Sequence, residues 1–85
     1  MTQTEIMLFA AHRSPAVPLE AICRTYFNLE PDTAAHYAGL RRLPVPAFRL
    51  NDSRKAPWMV DLKVLAAHID SQSQVAAEQF AQSAV

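Results

Sequence analysis

Apolar positions in this chain come in short bursts, separated by prolines and by one polar, cationic cluster. The first burst, TEIMLFAAH at 4–12, is too short for periodicity to separate helix from strand, but its glutamate, methionines and alanines favour a short helix. Pro15 and Pro18 keep Ala16 and Val17 extended, because a residue ahead of proline is pushed out of the α region. From Leu19 to Phe27 the spacing predicts a helix: Leu19, Ile22, Cys23, Tyr26 and Phe27 fall at i, i+3, i+4, i+7 and i+8. Pro18 suits its start, where a missing N–H is not needed. Glu20 and Arg24 form an i, i+4 pair on the opposite face. Asn28 predicts a left-handed stop, with Leu29 turned inward.

Glu30-Pro31-Asp32 opens a second helix, with proline in the first turn and acids near the positive end of the helix dipole. It is expected to run from 31 to 42, where Leu43-Pro44-Val45-Pro46 forbids continuation. Two helices about three residues apart make a helix-turn-helix unit. Residues 47–50 (AFRL) and 57–60 (PWMV) read as short strands around the turn cluster Asn51-Asp52-Ser53-Arg54-Lys55, which predicts a β-hairpin over 47–60. Asp61 is a good N-cap for a final helix whose apolar face holds Leu62, Leu65, Ala66, Ile69, Ala76 and Phe80. After Asp70 the chain becomes polar and alanine-rich: either a frayed extension or a helix whose apolar side meets another subunit. The expected fold is mainly α with a small β-hairpin, a winged helix-turn-helix over 1–70. It has a short N-terminal and a long C-terminal helix, with 71–85 as a helical extension or flexible tail.

Composition narrows the function classes. Eighty-five residues make one small domain with a marginal core, burying roughly 60–65% of the unfolded surface. One glycine, Gly39, excludes glycine-rich phosphate loops, and one cysteine, Cys23, excludes an internal disulfide or a thiolate-only metal site. Cys23 lies on the apolar stripe and reads as a buried small hydrophobe. His12, His36 and His68 are too dispersed for a ligand set, so no metal or other cofactor is expected. No constellation of nucleophile, base or paired carboxylates stands out, and the chain is not expected to be an enzyme. No apolar run approaches ~18–20 residues and no basic-then-apolar leader is present, so a cytoplasmic protein with no membrane partner is expected.

The net charge of zero hides a distribution. Residues 41–63 carry six cations against two acids, while 1–40 and 64–85 are each acidic by two. A local basic patch attracts phosphate even on a neutral chain.

The stretches PLEAICRTYFNLEP (18–31), LPVPAFRL (43–50) and DSRKAPWMVDLKVLAAHID (52–70), with the leader IMLFAA, resemble the pyocin activator protein family. The resemblance covers roughly residues 5–70. A looser similarity, LPVP followed by a hairpin and a strand that starts with tryptophan, links the chain to AlpA and excisionase-like winged-helix proteins, a MerR/AlpA-like plan. The resemblance implies a small bacterial, prophage-associated transcriptional activator that binds DNA. One position departs from it: Arg41-Arg42 stand before Leu43-Pro44 where such proteins are expected to carry glycine.

In a winged helix-turn-helix the second helix enters the major groove. Ala34, Tyr37 and Ala38 share the face expected against the first helix, which leaves Asp32, Thr33, Ala35, His36 and Gly39 outside. Thr33 and His36 are the candidate base readers, and Ala35 suits a thymine methyl; the alternative is a solvated helix face. Backbone candidates are Arg41, Arg42, Arg49, Arg54, Lys55 and Lys63. Arg41 and Arg42 equally suit the negative end of the helix dipole, and Arg49 has Asp52 or Asp61 as competing partners. Lys63 divides evenly between phosphate and solvent, while Trp58 reads as an anchor of the hairpin to the core.

The leading expectation is a sequence-specific activator of prophage or bacteriocin-type genes that binds double-stranded DNA as a homo-oligomer. Activation also requires RNA polymerase, with the acidic faces outside 41–63 as its expected surface. Two rivals remain: an excisionase-like architectural protein that bends DNA, and a protein-interaction adaptor that binds none.

Overall fold

The computed structural model describes residues 1–83. Helix α1 spans Gln3–His12 and begins where the Thr2 hydroxyl accepts from the Glu5 N–H at 3.1 Å. Strand β1 is Ala16–Pro18, extended as the two prolines dictate, and leads directly into α2, Leu19–Phe27. Asn28 stops α2 in the left-handed region at φ 54°, and α3 follows over Pro31–Gly39 with proline in its first turn. After a segment without regular structure come β2, Met59–Asp61, and α4, Leu62–Ser83. The Asp61 carboxylate accepts from the Lys63 N–H at 2.8 Å, the N-cap that its position predicts. The architecture is mainly helical, with four helices and one two-stranded antiparallel sheet among the described residues.

One buried cluster unites these elements. It takes Leu8 from α1, Val17 and Val60 from the sheet, and Leu19, Ile22 and Cys23 from α2. Ala34 and Ala38 from α3, Val45 from the connection, and Leu62, Leu65 and Ala66 from α4 complete it. Cys23 is wholly buried, as its place on the apolar stripe requires. The small side chains of Ala34 and Ala38 let α3 pack closely on α2 and turn its remaining residues outward.

Three local expectations are corrected. The helix expected over 31–42 ends three residues earlier, at Gly39. Arg41 adopts φ 57°, its N–H donates to the Ala38 carbonyl at 3.2 Å, and the Arg42 N–H donates to Tyr37 at 2.9 Å. This is a Schellman closure, which satisfies the last carbonyls of α3 with a left-handed residue. Glycine is the usual residue there; arginine holds it here at a steric cost.

The hairpin over 47–60 is not formed as a ladder. Phe48 and Met59 exchange two backbone hydrogen bonds, at 2.9 and 2.7 Å, and the pairing stops at that single bridge. In this register the neighbouring hydrogen-bonded pairs would be Pro46 with Asp61 and Leu50 with Pro57. Each contains a proline and so lacks a donor. The other edge of β2 instead pairs with β1, in the register Ala16–Asp61, Val17–Val60 and Pro18–Met59. That pairing buries Val17 against Val60 and ties the chain before α2 to the chain before α4. Lastly, Arg24 pairs with Glu30, not Glu20: one guanidinium nitrogen lies 2.8 Å from the Glu30 carboxylate. The left-handed turn at Asn28 brings residue 30 back over the end of α2.

Residues 71–83, left open between frayed tail and helix, are helical, and α4 projects beyond the body of the domain. Their side chains are all exposed. Residues 84–85 of the expected extension lie outside the described residues.

Candidate nucleic-acid interface

Local geometry decides what α3 can present. With Ala34 and Ala38 buried and Tyr37 half-buried, the residues Asp32, Thr33, Ala35, His36 and Gly39 are exposed. Thr33 and His36 lie three apart and therefore share one side of the helix. Ala35 faces a cleft with Asp32 and Pro31 on its α3 wall. The opposite wall comes from the 47–60 segment and includes Arg49, Arg54 and Trp58, while Glu20 at the start of α2 adds an acid.

The segment from 49 to 57 forms a loop in place of a ladder-paired hairpin, and short-range bonds give it shape. Asn51 Oδ1 accepts from the Ser53 N–H at 2.8 Å, Ser53 Oγ accepts from the Lys55 N–H at 3.1 Å, and the Ala56 N–H donates to the Ser53 carbonyl. These bonds hold Arg54 and Lys55 at the tip, both exposed. At the root, the Arg49 guanidinium carbon lies 4.2 Å from the centroid of the Trp58 ring. A cation over an indole face is attracted by the ring quadrupole, and Arg49 makes this stack in place of the ion pair that Asp52 or Asp61 offered as an alternative. Trp58 packs on the core, and its carbonyl accepts from the Leu19 N–H at 2.7 Å, so the loop is anchored to the start of α2.

Arg41 lies at the other end of α3, beside a hollow formed with Leu43, Pro44 and Pro46. Arg42 and Lys63 are exposed and line neither depression. Among the described residues the ion pair is Arg24 with Glu30, and the bonded Glu30 carboxylate raises the Arg24 pKa above its ordinary value. Among the described residues, none of Arg41, Arg42, Arg49, Arg54, Lys55 and Lys63 has a carboxylate partner. The structure thus brings Ala35, Arg49 and Arg54 to one cleft, sets Thr33 and His36 on the exposed side of α3, and leaves Arg42 and Lys63 apart.

Sequence reasoning missed two features of this surface. The Arg49–Trp58 stack had no spacing signal, because it depends on how the loop folds back. Leu50, read as a strand residue, is 75% exposed at the root of the cationic loop. Among the described residues no group of histidine, cysteine and carboxylate side chains could hold a metal ion, and no helix is long and apolar enough to cross a membrane.

The family model described as pyocin activator protein PrtN matches residues 4–76. The chain belongs to the pyocin activator family. The match runs from the second residue of α1 into the projecting part of α4, and so takes in every helix and both strands. The family is regulatory and not enzymatic, and its description is that of an activator protein. No curated protein and no solved structure matches the chain.

Proposed function

We propose that this pyocin activator family member is a sequence-specific DNA-binding transcriptional activator with a winged helix-turn-helix mode of docking. The observation that carries the reading is the cationic segment 41–63 beside the exposed side of α3, with six cations and no ion pair among them. On duplex DNA, α3 lies in the major groove, where Thr33 and His36 face base edges and Ala35 meets a thymine methyl. The loop carrying Arg54 and Lys55 grips the adjacent backbone, Arg49 supports it from the Trp58 stack, and Arg41 and Arg42 neutralise phosphates at the end of α3. Lys63 adds charge at the start of α4. Glu20 and Asp32 repel phosphate from the inside of the cleft, which directs the backbone to the cations of the opposite wall and the loop tip.

One protomer supplies only ~3–6 phosphate contacts, a modest electrostatic grip at physiological salt. Specific control therefore calls for a homo-oligomer on half-sites spaced near one helical turn, ~34 Å. RNA polymerase is the further partner that activation needs, and the acidic faces outside 41–63 are the proposed surface for it.

Selection of bound duplexes from a random DNA pool at about 150 mM salt tests this reading. An enriched motif is the expected outcome, and in Thr33→Ala or His36→Ala its preference relaxes at single positions by roughly 1–3 kcal/mol. Retention of no duplex at any salt would remove DNA as the partner and leave the adaptor reading.

A second reading, duplex bending, draws support from Leu50. An exposed aliphatic side chain beside a cationic loop is the chemistry of a minor-groove wedge that unstacks a base step. Circular-permutation mobility shifts measure it: a bend that Leu50→Ala relaxes while binding persists supports an architectural role, and straight DNA in the wild-type complex rejects it.

A further inference from the structure

The face of α4 that lies in the core does not end where the core ends. Leu62, Leu65, Ala66 and Ile69 line it through the first turns, and the same 3.6-residue stripe continues as Ser73, Ala76 and Phe80. Beyond Asp70, whose carboxylate accepts from the Thr4 hydroxyl at 2.6 Å, α1 has run out, and among the described residues nothing packs on α4. Phe80 is left 75% exposed on a helix segment that no tertiary contact supports. An isolated helix of this length is marginal in water, so a covering partner would stabilise it. At the base of the projection, Met7 from α1, Tyr26 from α2 and Ile69 line an open apolar groove, with Met7 64% exposed.

We infer that the partner is a second copy of this chain, joined by antiparallel pairing of the two projecting α4 segments about a twofold axis at Ala76. The segment is complementary to itself in that register. Ala76 meets Ala76, where small side chains allow close approach of the axes. Phe80 falls at the level of Gln72, against the small Ser73 and one turn from Ile69, and so leans toward the partner's groove. Ile69 in turn faces Ser83. The charges agree as well. Neither acid of the segment enters the pair: Glu78 lies on the side of α4 away from Ala76, where it accepts from Gln74 of its own helix at 3.2 Å, and Asp70 is held by Thr4. A direct register of large on small with no acid in the seam, repeated by the symmetry, is what an isologous interface requires. Residues 69–83 overlap over ~22 Å at 1.5 Å per residue. The inference rests on α4 and the groove alone and does not depend on DNA binding.

Sedimentation of the full chain, with cysteine cross-linking under oxidation, tests it without DNA. The expected mass is twice 9.5 kDa. Ala76→Cys should then cross-link nearly completely, because the two copies of residue 76 face each other on the axis. Ser73→Cys should not, because its two copies lie ~9 Å apart along an antiparallel pair. Phe80→Glu should sediment as a monomer at concentrations where the wild type is dimeric. Its circular dichroism should stay helical, since Phe80 takes no part in the monomer's core. A monomeric wild type at about 100 µM would overturn the inference. So would Ser73→Cys cross-linking as readily as Ala76→Cys, which marks a parallel pair, or a dimer indifferent to Phe80→Glu and unlinked through residue 76.

Discussion

Leu65→Ala is expected to destabilise the fold by about 3 kcal/mol, the cost of a fully buried leucine cut back to alanine with a cavity left behind. Leu65 is 0% exposed, and it sits where α4 meets the rest of the domain, in one cluster with Ile22, Val60 and Leu62. Few other large residues share the load, since much of that cluster is alanine, valine and cysteine. The surroundings therefore have little bulk with which to collapse into the gap. Domains hold only about 5–15 kcal/mol of stability, and a chain this short belongs at the lower end. The urea midpoint followed by circular dichroism should fall sharply with the slope unchanged. A midpoint within error of the wild type would show that α4 does not carry the core.

Arg54→Ala combined with Lys55→Ala is the second large effect, this time on DNA. Both cations stand at the tip of the loop, exposed and free of carboxylates, so the substitutions disturb no internal bond of their side chains. Asn51 and Ser53 keep shaping the loop through backbone N–H groups that alanine retains. If each cation neutralises one phosphate, the slope of log affinity against log salt falls by about 1.8, and affinity near 150 mM drops about 30-fold. The loss should be uniform across sequences, because phosphate contacts position and do not specify. Fluorescence anisotropy across a salt series measures both quantities. An unchanged slope would place the DNA backbone elsewhere and withdraw the clamp.

The two substitutions divide the molecule as the chain itself does. Stability resides in the base of α4 and the elements around it, whereas the cationic loop has Trp58 and one bridge to hold it. The loop can therefore change its charges without disturbing the fold. The same division explains which features were legible in advance. Each helix was visible at least in part, α1 from its residue types and the others from apolar spacing and residues that suit their ends, all of them local signals. Asn28 stops α2 and Asp61 caps α4 through groups within two residues of the helix end. The outward set on α3 followed from the same periodicity, since two buried alanines four apart fix which side is free.

Pairing between distant segments was not legible. Met59–Asp61 was expected beside the nearby 47–50, but its main partner, on its other edge, is the remote 16–18, a strand too short to announce itself. The prolines at 46 and 57 hold the near pairing to one bridge by removing donors, but their effect depends on a register that exists only once Phe48 meets Met59. Arg49 is a similar case. Its charge suggested an acid, and the folded loop offered an indole.

The sequence by itself determined where the helices lie, the stop at Asn28, the cap at Asp61, the exposed side of α3 and the cationic segment, because each rests on interactions within a few residues. The tertiary structure alone decided that β1 closes on β2, that the expected hairpin is a loop, and that α3 stops at Gly39 with Arg41 left-handed. Those outcomes come from competition among donors, acceptors and buried surface brought together from across the chain, and no local pattern records who wins.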